Sequence, residues 1–179
     1  MTEEKKCIFC GITDGSMQSA KIYEDDLVVC VLDIFPASKG HVLVIPKKHI
    51  AISAQLDEAL SAHLFNVGNK MSAILFEAME AEGTNLLIAN GAAAGQKVDH
   101  LVLHVIPRYK DDGVTISWKS EQIKEEELKN VYGQIVSKTQ GSQEPVKEVE
   151  EIKEVVEEPK ETTLEDALEE ETFDDERMP

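Results

Sequence analysis

Between residues 57 and 82, Leu60, Leu64, Val67, Met71, Ile74, Leu75 and Met79 recur at three- and four-residue steps. That period is the stripe of one long amphipathic helix. Asp57 stands where the first turn wants a cap, and Gly83 where the helix should stop. The apolar runs on either side have a different grain. Residues 20–33 and 41–47 are rich in β-branched residues and separated by Pro36, Ser38 and Gly40, so they read as two or three neighbouring strands.

Beyond the helix, 84–90 and 99–107 read as further strands, the second ended by Pro107. A short strand near 114–118 and a polar helix over 121–138 follow. The order is strands, helix, strands, helix, and adjacent strands need only short turns. The fold class is therefore α+β, with a mainly antiparallel sheet, one long helix and one C-terminal helix.

Charge divides the 179 residues into two parts. Residues 141–179 hold 16 Asp/Glu against 4 Lys/Arg, which accounts for −12 of the total −17. The expected domain is 1–140, followed by an acidic tail at 141–179 that is disordered in isolation. Two readings of the tail stay open. It is a solvated, solubilising extension, or it docks on a basic protein partner through the stripe Leu164, Ala167, Leu168. A net-acidic chain with no basic cluster is poorly suited to gripping nucleic acid. No apolar run approaches the ~18 residues of a membrane span. The opening residues MTEEKKCIFC lack the apolar segment of a signal peptide. Three cysteines in such a chain read as reduced thiols in the cytoplasm.

Cys7 and Cys10 form a CxxC pair, whose two sulfurs can reach one ion. On residues alone it is equally a redox pair or two buried thiols. Further ligands would have to come from His41, His49, His63, His100 and His104. His63 falls on the exposed side of the helix, and His49 follows a lysine pair and could simply be exposed. His100 and His104 lie four residues apart on one strand, so their backbones are separated by roughly 13 Å. They cannot share a zinc, whose bonds are about 2.0–2.3 Å long. Cys30, inside an apolar run, reads as a small core residue.

The loop from Asn90 to Gln96 is built of small residues around Gly95, which lets backbone N–H groups approach an anion, with Gln96 as an amide donor. His104 shares a face with His100 and Val102 near that loop. Asp33 ends a strand and is either a holder of ribose hydroxyls or a solvated turn acid.

Three segments in this order, CIFC, DIFPASKGHVLVIPKKH at 33–49 and GQKVDHLVLHVIPR at 95–108, resemble the histidine-triad (HIT) superfamily over nearly all of 5–139. The resemblance implies a homodimer with a five-stranded antiparallel sheet in each chain. It also implies a cleft that takes a purine nucleotide such as AMP or GMP, and cleavage of a phosphorus–oxygen or phosphorus–nitrogen bond. The zinc-bearing members of the family suggest Cys7, Cys10, His49 and His100 as ligands of a structural zinc, which leaves His104 to the phosphate. Ile8, Phe9 and Ile34 become candidate walls for a base, and Asp33, Asn90, Gly95, Gln96, Lys97 and His104 candidate contacts to the nucleotide.

The family's nucleophile is the middle histidine of its HxHxH motif, and here that position is Val102. An isopropyl group has no lone pair to attack phosphorus and no proton to transfer. Two further departures cluster on the same group: Ala89 stands where an Asn or Gln is usual, and Lys97 where a small hydroxyl residue is common. The leading expectation is a nucleotide-binding sensor or adaptor with a degenerate hydrolase/nucleotidyltransferase site. The alternatives are a slow nucleoside-phosphate hydrolase using His104, and a scaffold that binds no nucleotide.

Overall fold

The computed structural model describes residues 7–139, in two compact units that divide between Trp118 and Lys119. The acidic tail, with its candidate partner-binding stripe, lies outside the described residues. In the first unit α1 (Ile8–Thr13) precedes β1 (Lys21–Glu24), β2 (Val28–Leu32) and β3 (Val42–Pro46). Helix α2 (Glu58–Met79) then leads to β4 (Gly83–Leu87) and β5 (Leu103–Arg108). The second unit contributes α3 (Glu125–Thr139), whose first turn carries Glu125, Glu126 and Glu127 and whose last turn carries Lys138. Those charges complement the helix dipole.

Every strand pairing is antiparallel and the order is β1-β2-β3-β5-β4. Helix α2 carries the chain past the vacant position beside β3, and β5 returns to fill it. Strand alternation sorts side chains to two faces. Val28, Cys30, Val42, Val44, Leu103 and Val105 pack under α2 against Leu60, Leu64, Val67, Met71 and Leu75. Val29, Val31, Leu43, Ile45 and Val102 form a smaller cluster on the opposite face, covered by Phe9 and Ile12 of α1. The central strands are thus buried on both sides.

Asp57 caps α2 as expected, its carboxylate accepting from the Leu60 N–H at 2.8 Å, a contact worth about 1 kcal/mol. Gly68 is where α2 presses closest to the sheet, since a Cβ there would stand 2.6 Å from Leu103 Cδ2.

The structure corrects several boundaries. Helix α2 ends at Met79, capped by Glu80 at φ 53°, and Gly83 opens β4 instead of stopping the helix. Ile74 points outward and is 49% exposed. His63 is not a free surface group: its Nε2 lies 2.8 Å from Asp25, tying α2 to the β1–β2 turn. Burial pushes the Asp25 carboxyl up, but bonds from the Leu27 and Val28 N–H groups, Tyr23 and His63 hold it well below the usual carboxylate range. Cys30 is fully buried, and burial pushes its thiol up to about 12, as befits a core residue.

Strand β5 begins at Leu103, not at residue 99, because the Leu101 N–H is donated to Ile50 O outside the ladder. Strand β4 stops at Leu87, and Asn90 beyond it is bonded to Ser53. No strand forms at 114–118. Asp111 and Gly113 both take positive φ, and Arg108 binds Asp112 and the Val114 carbonyl, which curls that segment into a loop.

Candidate functional site

Two side-chain clusters flank the segment 100–104. The first gathers Cys7, Cys10, His49 and His100, whose donor atoms all lie within 4.8 Å of one another. Cys7 caps α1 and Cys10 stands one turn on, with the Gly11 N–H donating to Cys7 O at 3.1 Å. His49 follows β3, and His100 sits in the turn before β5. Cys7 Sγ and Cys10 Sγ lie 3.4 and 3.6 Å from His100 Nδ1, and Cys10 Sγ lies 3.2 Å from His49 Nδ1.

These separations bear on what the cluster can hold. Ligands of a tetrahedral zinc with bonds of about 2.0–2.3 Å stand about 3.5 Å apart, and the three sulfur–nitrogen separations of 3.2, 3.4 and 3.6 Å match that spacing. A metal-bound imidazole must also present an unprotonated nitrogen. His100 Nε2 lies 3.0 Å from Pro46 O, so that nitrogen donates its proton there and Nδ1 presents a lone pair. Burial also holds His100 below the ordinary histidine range, which favours the neutral ring. The strand-spacing argument against sharing one ion between His100 and His104 agrees with this geometry, because His104 belongs to the other cluster.

The second cluster joins Asp33, His41 and His104. His104 on β5 sits opposite Leu43 and Leu87 in the ladder. Its Nδ1 is 3.1 Å from His41 Nε2. The Ala37 N–H donates to His41 Nδ1 at 3.2 Å, so His41 carries its proton on Nε2 and donates it to His104. His104 then holds its own proton on Nε2. Asp33 Oδ2 stands 3.5 Å from His41 Nδ1, and its Oδ1 accepts from the Phe35 N–H at 2.9 Å. Burial lowers both histidines; His104 lowers His41 further, and Asp33 opposes the shift in each ring. The resting pair is neutral, and His104 is an N–H donor.

His41 had no assigned role in the sequence beyond membership of the histidine set. Its signal was parity: His41, just before β3, keeps step with Leu43 and Ile45 on that strand, and Leu43 is the cross-strand neighbour of His104.

Asp33, His104 and His100 border a cleft of about 430 Å³. Ile8, Phe9, Ile12, Val31, Ile34 and Leu43 supply apolar walls, while Asp33, Gln96, Lys97 and His104 supply polar groups. Ala89, Gly95 and Val102 also line it. Val102 is 7% exposed, packed into the apolar cluster between the two histidines. Ile34 and Phe35 are 78% and 85% exposed at the cleft.

The small-residue loop is more self-contained than its composition suggests. The N–H groups of Ala94, Gly95 and Gln96 bond within the loop. The Gln96 amide accepts from the Gly91 N–H and donates to Ala51 O, both at 2.7 Å. Asn90 is turned to Ser53 and is not among the residues lining the cleft.

The model of the HIT domain matches residues 14–111. This chain belongs to the HIT family. Protein hit of Bacillus subtilis is 40% identical over 141 residues, covering 77% of this chain and 97% of that protein. Adenosine 5'-monophosphoramidase hnt1 of Schizosaccharomyces pombe is 38% identical, covering 74% of this chain and 97% of its own length. A solved Zn-bound histidine triad protein of Mycobacterium smegmatis superposes with a TM-score of 0.58 at 34% identity, over 74% of this chain and 97% of that one. The five-stranded antiparallel sheet with its helices is the HIT fold. Among the described residues no helix is long and apolar enough to cross a membrane.

Proposed function

We propose that this HIT-family chain is a zinc-stabilised nucleotide-binding protein whose nucleotidyl-transfer chemistry is lost, acting as a sensor or adaptor. The observation that carries this reading is Val102, a buried aliphatic side chain lining the cleft between His100 and His104. A cleft of the size and polarity seen here suits a nucleoside monophosphate, yet nothing at position 102 can attack phosphorus. A relative that is an AMP phosphoramidase makes AMP the first ligand to test.

Zinc is supported by the ligand spacing, the His100–Pro46 bond and the Zn-bound relative. Cys7, Cys10, His49 and His100 would hold the ion with no position left open, a structural role that clamps α1 to the sheet.

The alternative is a slow hydrolase using His104. Its Nδ1 accepts from His41 and its Nε2 bears the proton, so the neutral ring offers substrate an N–H donor and no lone pair, which speaks against a nucleophilic role and leaves the acid role.

Pairing of two chains is supported by β4, an edge strand. Beside it the Ser72–Thr84 contact brings α2 alongside, and Phe65 and Phe76 on α2 are 44% and 46% exposed. Two copies joined at this edge would cover those rings.

Calorimetry of the zinc-loaded protein with AMP, GMP and adenosine tests the central reading. Saturable binding of AMP or GMP, with no turnover of a nucleoside phosphoramidate, is expected. Absence of titratable heat with all three would sink it.

A further inference from the structure

Among the described residues that border the cleft, Lys97 is the one lysine or arginine and Asp33 the one carboxylate. Lys97 is exposed, in the segment that leads from the small-residue loop to β5. None of the ion pairs among the described residues includes it. An ammonium on a flexible four-carbon stem is a compact point charge that can close on an anion.

That charge matters because other donors beside it are scarce. The N–H groups of Gly91, Ala94, Gly95 and Gln96 are bonded within the loop, and the Gln96 side chain is spent on Gly91 and Ala51. Within 89–104, Ala89, Val98 and Val102 border the cleft without a polar side-chain atom, and His100 is engaged by Pro46 O and the cysteines. Two side chains of that segment remain to meet phosphate oxygens, the Nε2–H of His104 and the ammonium of Lys97. The neutral imidazole gives much the same hydrogen bond to any phosphate. Asp33, with a carboxylate oxygen within 4.8 Å of the His41 and His104 ring nitrogens, repels an anion and is fixed by the Phe35 N–H. The mobile ammonium has to outweigh that fixed carboxylate, and its attraction grows with the charge of the ligand.

We propose that Lys97 is a specificity-determining residue that reads ligand charge. It favours a nucleotide with a terminal phosphate, a dianion, over the same nucleotide with that phosphate esterified or amidated, a monoanion. The inference rests on the nucleotide-binding reading above and deepens it. The ligand class becomes the phosphomonoester that hydrolysis of a phosphodiester or phosphoramidate leaves behind, so a reaction of that class must supply it.

Three ligands of graded charge provide the test: AMP, the 5'-methyl ester of AMP, and adenosine. Each is titrated at pH 8 by NMR into the zinc-loaded full chain as wild type, Lys97→Ser and Lys97→Arg. With a second phosphate pKa of about 6, AMP is a dianion there. Wild type should bind AMP about fivefold more tightly than its methyl ester. Lys97→Ser should lose about five- to tenfold in AMP affinity, less for the ester and nothing for adenosine, so the preference disappears; Lys97→Arg should keep it. The proposal is overturned by a wild type without the preference, by a preference that survives in Lys97→Ser, or by one lost equally in Lys97→Arg. A wild type that binds none of the three overturns the nucleotide-binding reading itself, a failure separable from that of Lys97.

Discussion

The Cys7–Cys10–His49–His100 cluster and the Asp33–His41–His104 cluster lie on either side of Val102; the first gathers four donors of the kinds a tetrahedral metal takes, while the second has two imidazoles and a carboxylate beside an aliphatic side chain. A structural metal site contributes to folding directly, so losing one donor costs stability. A nucleophile contributes nothing to the fold. Val102 packs with Val29, Val31, Leu43 and Ile45, and an imidazole in that place would bury polar atoms among aliphatic ones. Stability therefore favours keeping the first cluster and is indifferent or opposed to keeping the reacting group of the second.

The largest effect that could break this contrast is loss of metal. Chelation, or Cys10→Ser, should lower the thermal midpoint by more than about 10 °C, with close to one zinc per chain found by elemental analysis of the untreated protein. An unchanged melt together with absent zinc would leave the first cluster no more complete than the second.

Restoring the nucleophile comes next. If Val102 alone blocks the reaction, Val102→His should raise phosphoramidate turnover on the order of 10³-fold and give a nucleotide adduct visible by intact mass. The same change should cost about 1–3 kcal/mol in urea unfolding. Stability lost with no adduct formed would shift the blame to Ala89 and Lys97.

A smaller effect separates the clusters by pH. Burial depresses His41 and His104 below the ordinary 6.5, so the unfolded chain binds more protons as the pH falls through that value. Their contribution is full above about pH 6.5 and is lost on acidification. With zinc in excess, His41→Ala should show a shallower loss between about pH 7 and pH 5; an identical slope would mean that the pair is not the source.

The smallest change concerns Ala89, which lines the cleft. Ala89→Asn should tighten AMP binding about two- to fivefold by adding an amide near the phosphate groups. No gain would confine the degeneracy to position 102.

Much of the fold was legible because it depends on local period. The α2 stripe and the Asp57 cap follow from spacing alone, as do the β2 and β3 runs. The CxxC pair was visible as a motif, but its completion by His49 and His100 came through resemblance, since no local rule joins residues so far apart in sequence. Misread segments have two causes. At 99–102 and 88–90, bonds to the distant Ile50 and Ser53 won over strand propensity, whereas at 114–118 local bonds from Arg108 and positive φ at Asp111 and Gly113 turn the chain. The His41–His104 bond was invisible because it joins residues 63 apart in sequence.

The sequence by itself determined the order of elements, the faces that must be buried and the chemical incapacity of Val102, because periodicity and functional groups are properties of the chain. Only the tertiary structure decided which histidine keeps its proton on which nitrogen and which loop amides are already bonded. Those depend on distances between residues that the chain brings together from far apart, and a hydrogen bond forms or fails over a few tenths of an ångström.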